Sequence, residues 1–137
     1  MSKRFVMEDC ILCKIVSGEI SSHKVYEDEN SLAVMDIHPI NDGHVLVFPK
    51  KHDEAFEQMG EDEFAVVMRT AHKVAKRIKD VLSPPRVGVL IEGFDIAHTH
   101  VKVIPIENEV ELRHIPNMTA EPDHEALTSM ASRLVIN

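Results

Sequence analysis

No stretch of this chain approaches the roughly 20 consecutive apolar residues that cross a bilayer as a helix, so a helical membrane protein is not expected. Cysteine is nearly absent. Cys10 and Cys13 are the only two, too few to staple a small secreted fold, and in a reducing compartment they would stay thiols or bind metal. The five glycines never gather into the phosphate loop of a Walker-type nucleoside triphosphatase. Positive charge is the minority sign: 15 lysines and arginines face 23 acidic side chains, for a formal net charge of -8. That balance argues against a protein that clamps long nucleic acid over its whole surface, and it leaves room for a small phosphate ligand in a locally basic pocket. Repeats and low-complexity segments are missing too. Met1 to Asp9, with two acids and no apolar run behind a basic start, does not read as a signal peptide, so the expected location is cytoplasmic.

What remains is the make-up of a globular domain. With 44% hydrophobic and 28% charged residues in a length of 137, residues 1–137 can bury one core without disulfides and read as a single domain. Glu8 to Ile15 reads as a turn and short helix ended by Ser17-Gly18. Lys24 to Glu27 and Leu32 to Met35 are short strand candidates joined by the turn formers Asp28-Glu29-Asn30-Ser31. Asp36 to Gly43 is too rich in turn formers to extend a strand, and it leads into His44-Val45-Leu46-Val47-Phe48-Pro49, a buried strand with a histidine at its entrance and a proline at its exit. The period then changes. Phe64, Val67, Met68, Ala71, Val74, Ala75, Ile78, Val81 and Leu82 recur at helical spacing, behind Glu61-Asp62-Glu63 and ahead of the stop Ser83-Pro84-Pro85, which predicts one amphipathic helix about 30 Å long. Arg86 to Glu92 returns as a strand, and Gly93-Phe94-Asp95 turns it towards the next segment. Val110 and Leu112 read as an extended edge or arm, and His124 to Leu134 as a terminal helix packed either on its own monomer or on another subunit. Strands, one long helix and more strands, without strand-helix alternation, predict an α+β fold with an antiparallel sheet backed by a helix.

Ile96 to Pro105 carries the chemistry. As a strand it would line one face with His98, His100, Lys102 and Ile104 and point Thr99, Val101 and Val103 into the core. Two solvated surface histidines are the plainer alternative. His23, His38, His72, His114 and His124 show no comparable convergence and read as solvated or locally hydrogen-bonded residues.

Taken together, Cys10-x-x-Cys13, Asp36-Ile37-x-Pro39-x-x-x-Gly43-His44-x-Leu46-Val47-x-Pro49-Lys50-x-His52 and His98-x-His100-x-Lys102-x-Ile104-Pro105 resemble the histidine triad (HIT) superfamily of nucleotide hydrolases and transferases. The resemblance covers about residues 8 to 105 and leaves a C-terminal extension from about 106. Lys102 stands at the third histidine position of the triad, and Phe94 stands where many members carry the glutamine of a Gly-Gln pair. The resemblance implies a HIT-like five-stranded antiparallel sheet packed against one long helix, with short terminal elements, in chains paired as a homodimer. It implies a phosphoramidase-like enzyme, dinucleotide hydrolase or nucleotidyl transferase working through a nucleotidyl-histidine intermediate. The alternative is a catalytically weak nucleotide-binding regulatory protein. The implied partner is a purine nucleotide or nucleoside monophosphate conjugate.

Carried over residue by residue, the family pattern makes His100 the nucleophile, a role that requires its second ring nitrogen to keep a proton. His44 would support the same pocket, or be no more than a capped histidine at a strand entrance. Lys102 can place positive charge on phosphate oxygens but has no acceptor with which to imitate an imidazole; a lysine swung into water is the competing reading. Asp36 and Ile37 match nucleoside-contacting positions, with ribose hydroxyls on the carboxylate and a base face on the isoleucine, although Asp36 would also suit the cap of a turn. Cys10, Cys13, His52 and His98 match a structural zinc site, one ion per chain. A reduced metal-free pair and a redox-active Cys-x-x-Cys are the other readings of the cysteines.

Overall fold

The computed structural model describes residues 9–137. The reading of Met1 to Asp9 as no signal peptide falls, but for Asp9, outside the described residues. Strands β1 (Lys24–Glu27), β2 (Ser31–Met35), β3 (Val45–Pro49), β4 (Arg86–Leu90) and β5 (Val101–Ile106) form one five-stranded sheet in the order β1-β2-β3-β5-β4. Every neighbouring pair is antiparallel. Helices α1 (Ile11–Ser17), α2 (Glu61–Leu82) and α3 (His124–Leu134) surround it, with 3-10 turns at Phe56–Gln58 and Glu109–Arg113. The expected α+β architecture of an antiparallel sheet against one long helix is therefore the one observed.

Local chemistry explains the hairpin and the helix. Asp28 Oδ1 accepts from the backbone N–H of Asn30 and of Ser31, each at 2.8 Å, and closes the β1-β2 turn as an acidic turn former does. The Ser31 hydroxyl also meets the Thr70 hydroxyl at 2.8 Å, fastening the start of β2 to α2. The apolar stripe of α2 puts Val67, Ala71, Val74 and Ile78 against Ala33, Met35, Val45, Val47, Val101 and Val103 on one sheet face. A second, smaller core lies on the other face, where Leu32, Val34, Leu46 and Phe48 meet Cys10 and Leu12. Covered on both faces, β2 and β3 are buried at every residue.

Three expectations need correction. The histidine segment is not a strand throughout: β5 starts at Val101, and the backbone bends at Ala97 and His98. The Thr99 N–H donates to the Asp53 carbonyl at 2.7 Å instead of joining the ladder. Ile104, placed with the polar row by strict alternation, is completely buried. The arm expected at Val110 and Leu112 is a 3-10 turn capped by the Asn108 side chain, which accepts from the Val110 N–H at 3.0 Å. It seats on β4 because Gly88 has no side chain; a Cβ there would stand 2.9 Å from Leu112 Cδ1. Of the two packings open to the terminal helix, the chain uses its own surface. Leu127, Ala131 and Leu134 of α3 enter the core beneath α2, and the Ile136 N–H donates to the Val25 carbonyl at 2.8 Å. Among the described residues, no helix is long and apolar enough to cross a membrane.

Candidate functional site

Two polar clusters meet where the bent segment before β5 passes the ends of β3 and α1. The first is the cysteine-histidine cluster. Cys10 is the N-cap of α1, and its sulfur accepts from the Cys13 N–H at 3.3 Å, so the Cys-x-x-Cys spacing is a helix-capping turn that gathers both sulfurs. His98 Nε2 donates to the Pro49 carbonyl at 2.8 Å, which leaves the bare Nδ1 lying 3.3 Å from Cys10 Sγ and 3.5 Å from Cys13 Sγ. His52 Nδ1 is 3.2 Å from Cys13 Sγ, and all four donor atoms lie within 4.8 Å of one another.

Zinc bonds of about 2.3 Å to sulfur and 2.0–2.1 Å to nitrogen make a tetrahedron with sulfur-to-nitrogen edges of about 3.6 Å, close to the spacings found. The donor set and the tautomer of His98 thus fit a closed structural zinc site. Burial, helped by the hydrogen bond and charge of Cys10, pushes the Cys13 thiol up to about 12. A dication in the cluster reverses that preference by displacing the thiol protons. Burial holds His98 down, to about 4, and so keeps the imidazole neutral, as a ligand must be.

The second cluster is built on the next residues. His100 is only 2% exposed, and its Nδ1 donates to the His98 carbonyl at 2.8 Å. In a neutral ring the lone pair is then on Nε2, which faces Asp95 Oδ1 at 3.2 Å. Lys102 Nζ lies 3.0 Å from Asp95 Oδ2 and 3.3 Å from Glu92 Oε2. Burial pulls the Lys102 ammonium down, but the hydrogen bonds and charges of Asp95 and Glu92 outweigh it and raise it above its ordinary value. Burial pushes the Asp95 carboxyl up, and Lys102 and His100 together overcome that and hold it low.

His44 enters from the neighbouring strand, straight after Gly43 at φ +100°. Its Nδ1 accepts from the Ile40 N–H at 3.0 Å, so the neutral ring carries its proton on Nε2. That Nε2 lies 3.4 Å from Asp36 Oδ2 and is buried without a hydrogen-bond partner among the described residues. Burial lowers the His44 imidazole to about 3, and the positive charge of Lys102 acts in the same direction, as a proton on His100 would. Asp36 accepts from the His38 N–H at 2.8 Å, as the capping alternative requires, yet burial raises its carboxyl above the ordinary value.

Asp36, His44, Asp95 and Lys102 line a cavity of about 450 Å³ whose far wall is Arg113 to Pro116 and Met118. His100 does not itself line this cavity; it stands behind Asp95, with which it is in contact. A larger hollow of about 630 Å³ adjoins it at Ile40, Arg113 and His114 but contains none of those four residues. Ile37 is not with the others: it lines a separate cavity of about 180 Å³ beside Met35 and Met130. Sequence reasoning missed Asp95, Glu92, Arg113 and His114. Asp95 reads as an ordinary turn residue, and only its position just ahead of the histidines could have drawn attention to it. His23 and His124 bond each other at 2.9 Å, a local pairing of the kind expected for them.

Comparison with known proteins fits this geometry. The family model described as HIT domain matches residues 17–109. An uncharacterized HIT-like protein of Methanocaldococcus jannaschii is 40% identical over 100 residues, 70% of this chain and 78% of its own. The adenosine 5'-monophosphoramidase of Schizosaccharomyces pombe is 37% identical over 105 residues, 73% of this chain and 76% of that protein. The crystal structure of a zinc-bound histidine triad family protein from Mycobacterium smegmatis has a TM-score of 0.72 at 26% identity, covering 93% of this chain and 96% of that one. With the matched segment spanning the whole sheet and both histidine-bearing strand ends, this chain belongs to the HIT domain family.

Proposed function

We propose that the protein is a nucleotide hydrolase or nucleotidyl transferase acting on a purine nucleoside monophosphate joined to an amine, a phosphate or another leaving group. His100 Nε2 attacks the α-phosphorus. Its lone pair forms the nitrogen-phosphorus bond as the bond to the leaving group breaks, and the departing electron pair takes a proton from solvent. Water then attacks the nucleotidyl-histidine, loses a proton and releases the monophosphate, returning the neutral ring. The observation that carries this reading is the hydrogen bond from His100 Nδ1 to the His98 carbonyl, because it fixes the one tautomer able to attack. The adenosine 5'-monophosphoramidase activity of the relative from Schizosaccharomyces pombe supports the reaction class.

The other residues have separate tasks. Lys102, in the place of the third triad histidine, offers charge to the phosphoryl oxygens. The unpartnered Nε2–H of His44 is a donor for one of those oxygens, and Asp36 accepts from ribose hydroxyls. Cys10, Cys13, His52 and His98 would hold zinc, whose task there is to tie α1 and the end of β3 to the segment that carries His100. A homodimer joining two sheets completes the proposal: β4 is an edge strand with Val89 43% exposed, and sedimentation that finds only monomers would remove this part.

A nucleotide-binding regulatory protein with little turnover is the second reading, and the two carboxylates on Lys102 favour it. His100→Ala separates the two. As an enzyme, the wild type turns over adenosine 5'-monophosphoramidate, and the variant binds AMP within about threefold of it while turnover falls by several powers of ten. Unchanged turnover in the variant rejects nucleophilic catalysis at His100. Tight AMP binding by a wild type without turnover selects the second reading.

A further inference from the structure

We propose that Asp95 is an internal competitor for the phosphoryl subsite: its carboxylate bridges His100 and Lys102 in the free protein and must be displaced by the substrate's phosphoryl group. The inference rests on the nucleotide reading above and adds a residue to it. One carboxylate oxygen stands 3.2 Å from His100 Nε2 and the other 3.0 Å from Lys102 Nζ. These are the two groups that a phosphoryl group has to engage, and the carboxylate already stands at both: it pairs with the Lys102 ammonium and occupies the approach to His100 Nε2.

Burial supports the same conclusion. His100 is 2% exposed and Lys102 is 13% exposed at its side chain, whereas the Asp95 side chain is 35% exposed and lines the cavity. The carboxylate therefore lies between the cavity and the nitrogen. At 3.2 Å it takes up space that a phosphorus approaching Nε2 needs. It sits in the Gly93-Phe94-Asp95 turn, beside Gly93 at φ +77° and a 95% exposed Phe94, so only a short surface segment has to move. Glu92 also reaches Lys102, at 3.3 Å, but makes no contact with His100, and it serves as an internal control.

The opposite role is chemically reasonable: a carboxylate that holds Lys102 in place would strengthen phosphate binding. The two roles predict opposite signs. Asp95→Asn keeps the size of the side chain and an oxygen that can accept from the Ile96 N–H, as Asp95 Oδ1 does at 3.0 Å. Titration calorimetry with AMP and with adenosine on the full chain reads the phosphate contribution directly. The competitor predicts that Asp95→Asn and Asp95→Ala each bind AMP about tenfold more tightly than the wild type, the size expected for removing one like charge from a partly exposed site. Adenosine affinity should stay within about twofold, which a merely structural change would not achieve. Glu92→Gln should tighten AMP by less than about threefold.

AMP binding unchanged or weakened in both Asp95 variants, with adenosine still bound, overturns the inference and leaves the nucleotide pocket standing. Equal tightening in Glu92→Gln overturns it as well, because the effect would then be general charge removal around Lys102. A wild type that binds neither adenosine nor AMP overturns the nucleotide reading, and this inference with it.

Discussion

Gly43→Ala tests how the fold presents His44. Gly43 has φ +100°, and a Cβ built there would lie 2.6 Å from Leu82 Cδ1 and 3.3 Å from Pro105 Cγ. Two separate penalties follow. Forcing an L-residue to positive φ costs about 1–2 kcal/mol, and overpacking against the end of α2 costs about 1–3 kcal/mol, for a total of about 2–5 kcal/mol. In a domain of this size that lowers the melting midpoint by roughly 8–20 °C. The two penalties can be parted by a double-mutant cycle. Leu82→Ala removes the atom in the way but cannot change φ, so the double variant should be about 1 kcal/mol or more better than the sum of the single losses. Urea unfolding of the four proteins measures every term. A Gly43→Ala protein with an unchanged midpoint would refute the steric argument, and strict additivity with Leu82→Ala would refute the assigned clash.

The acid limb of stability should carry the signature of His44. Its pKa falls from an ordinary 6.5 to about 3 on burial, so the unfolded chain binds a proton that the native state refuses; stability on its account is full above about pH 6.5 and is lost as pH falls towards 3. The slope is about 1.4 kcal/mol per pH unit, and urea titrations of His44→Gln should lack it; equal slopes would remove this assignment. Metal analysis of protein purified without chelator should find one zinc per chain, and Cys13→Ser should lose it with a drop in melting temperature. A metal content near zero in the wild type contradicts the cluster's role. Lys102→His restores an imidazole acceptor: hydrolysis of a monophosphoramidate should rise if the lysine is a deficit, and activity on a more anionic substrate should fall if the lysine is matched to it. No change on either would separate Lys102 from the chemistry.

Most of the scaffold was legible because its burial is periodic. The stripe through Val67, Ala71, Val74 and Ile78 obeys one period from end to end, and α2 has the bounds that its acidic start and its Ser-Pro-Pro stop imply. The histidine segment misled because Thr99-His100-Val101-Lys102-Val103 alternates like a strand while the ladder to β3 covers only Val101 to Val103. Upstream, the chain leaves the ladder to bring His98 to the cysteines, a demand set by residues 85 or more positions away. The convergence of Cys10, Cys13, His52 and His98 was readable as motifs, since each donor lies in a short pattern with its own chemistry. Asp95 was not. Its contacts with His100 and Lys102 depend on how the turn after β4 folds back, which neither composition nor period encodes. The wall from Arg113 to Met118 was hidden for a related reason: Leu112 reaches the sheet only because Gly88 leaves a gap.

The central claim is a covalent nucleotide on one nitrogen. Mixing the protein with less than one equivalent of adenosine 5'-monophosphoramidate, stopping the reaction in alkaline denaturant at millisecond intervals and weighing the intact chain tests it directly. The account predicts a transient mass gain of one nucleotidyl group that maps to His100 and is missing from His100→Ala. Complete turnover with no such species at any interval, or an adduct that survives in His100→Ala, would contradict it.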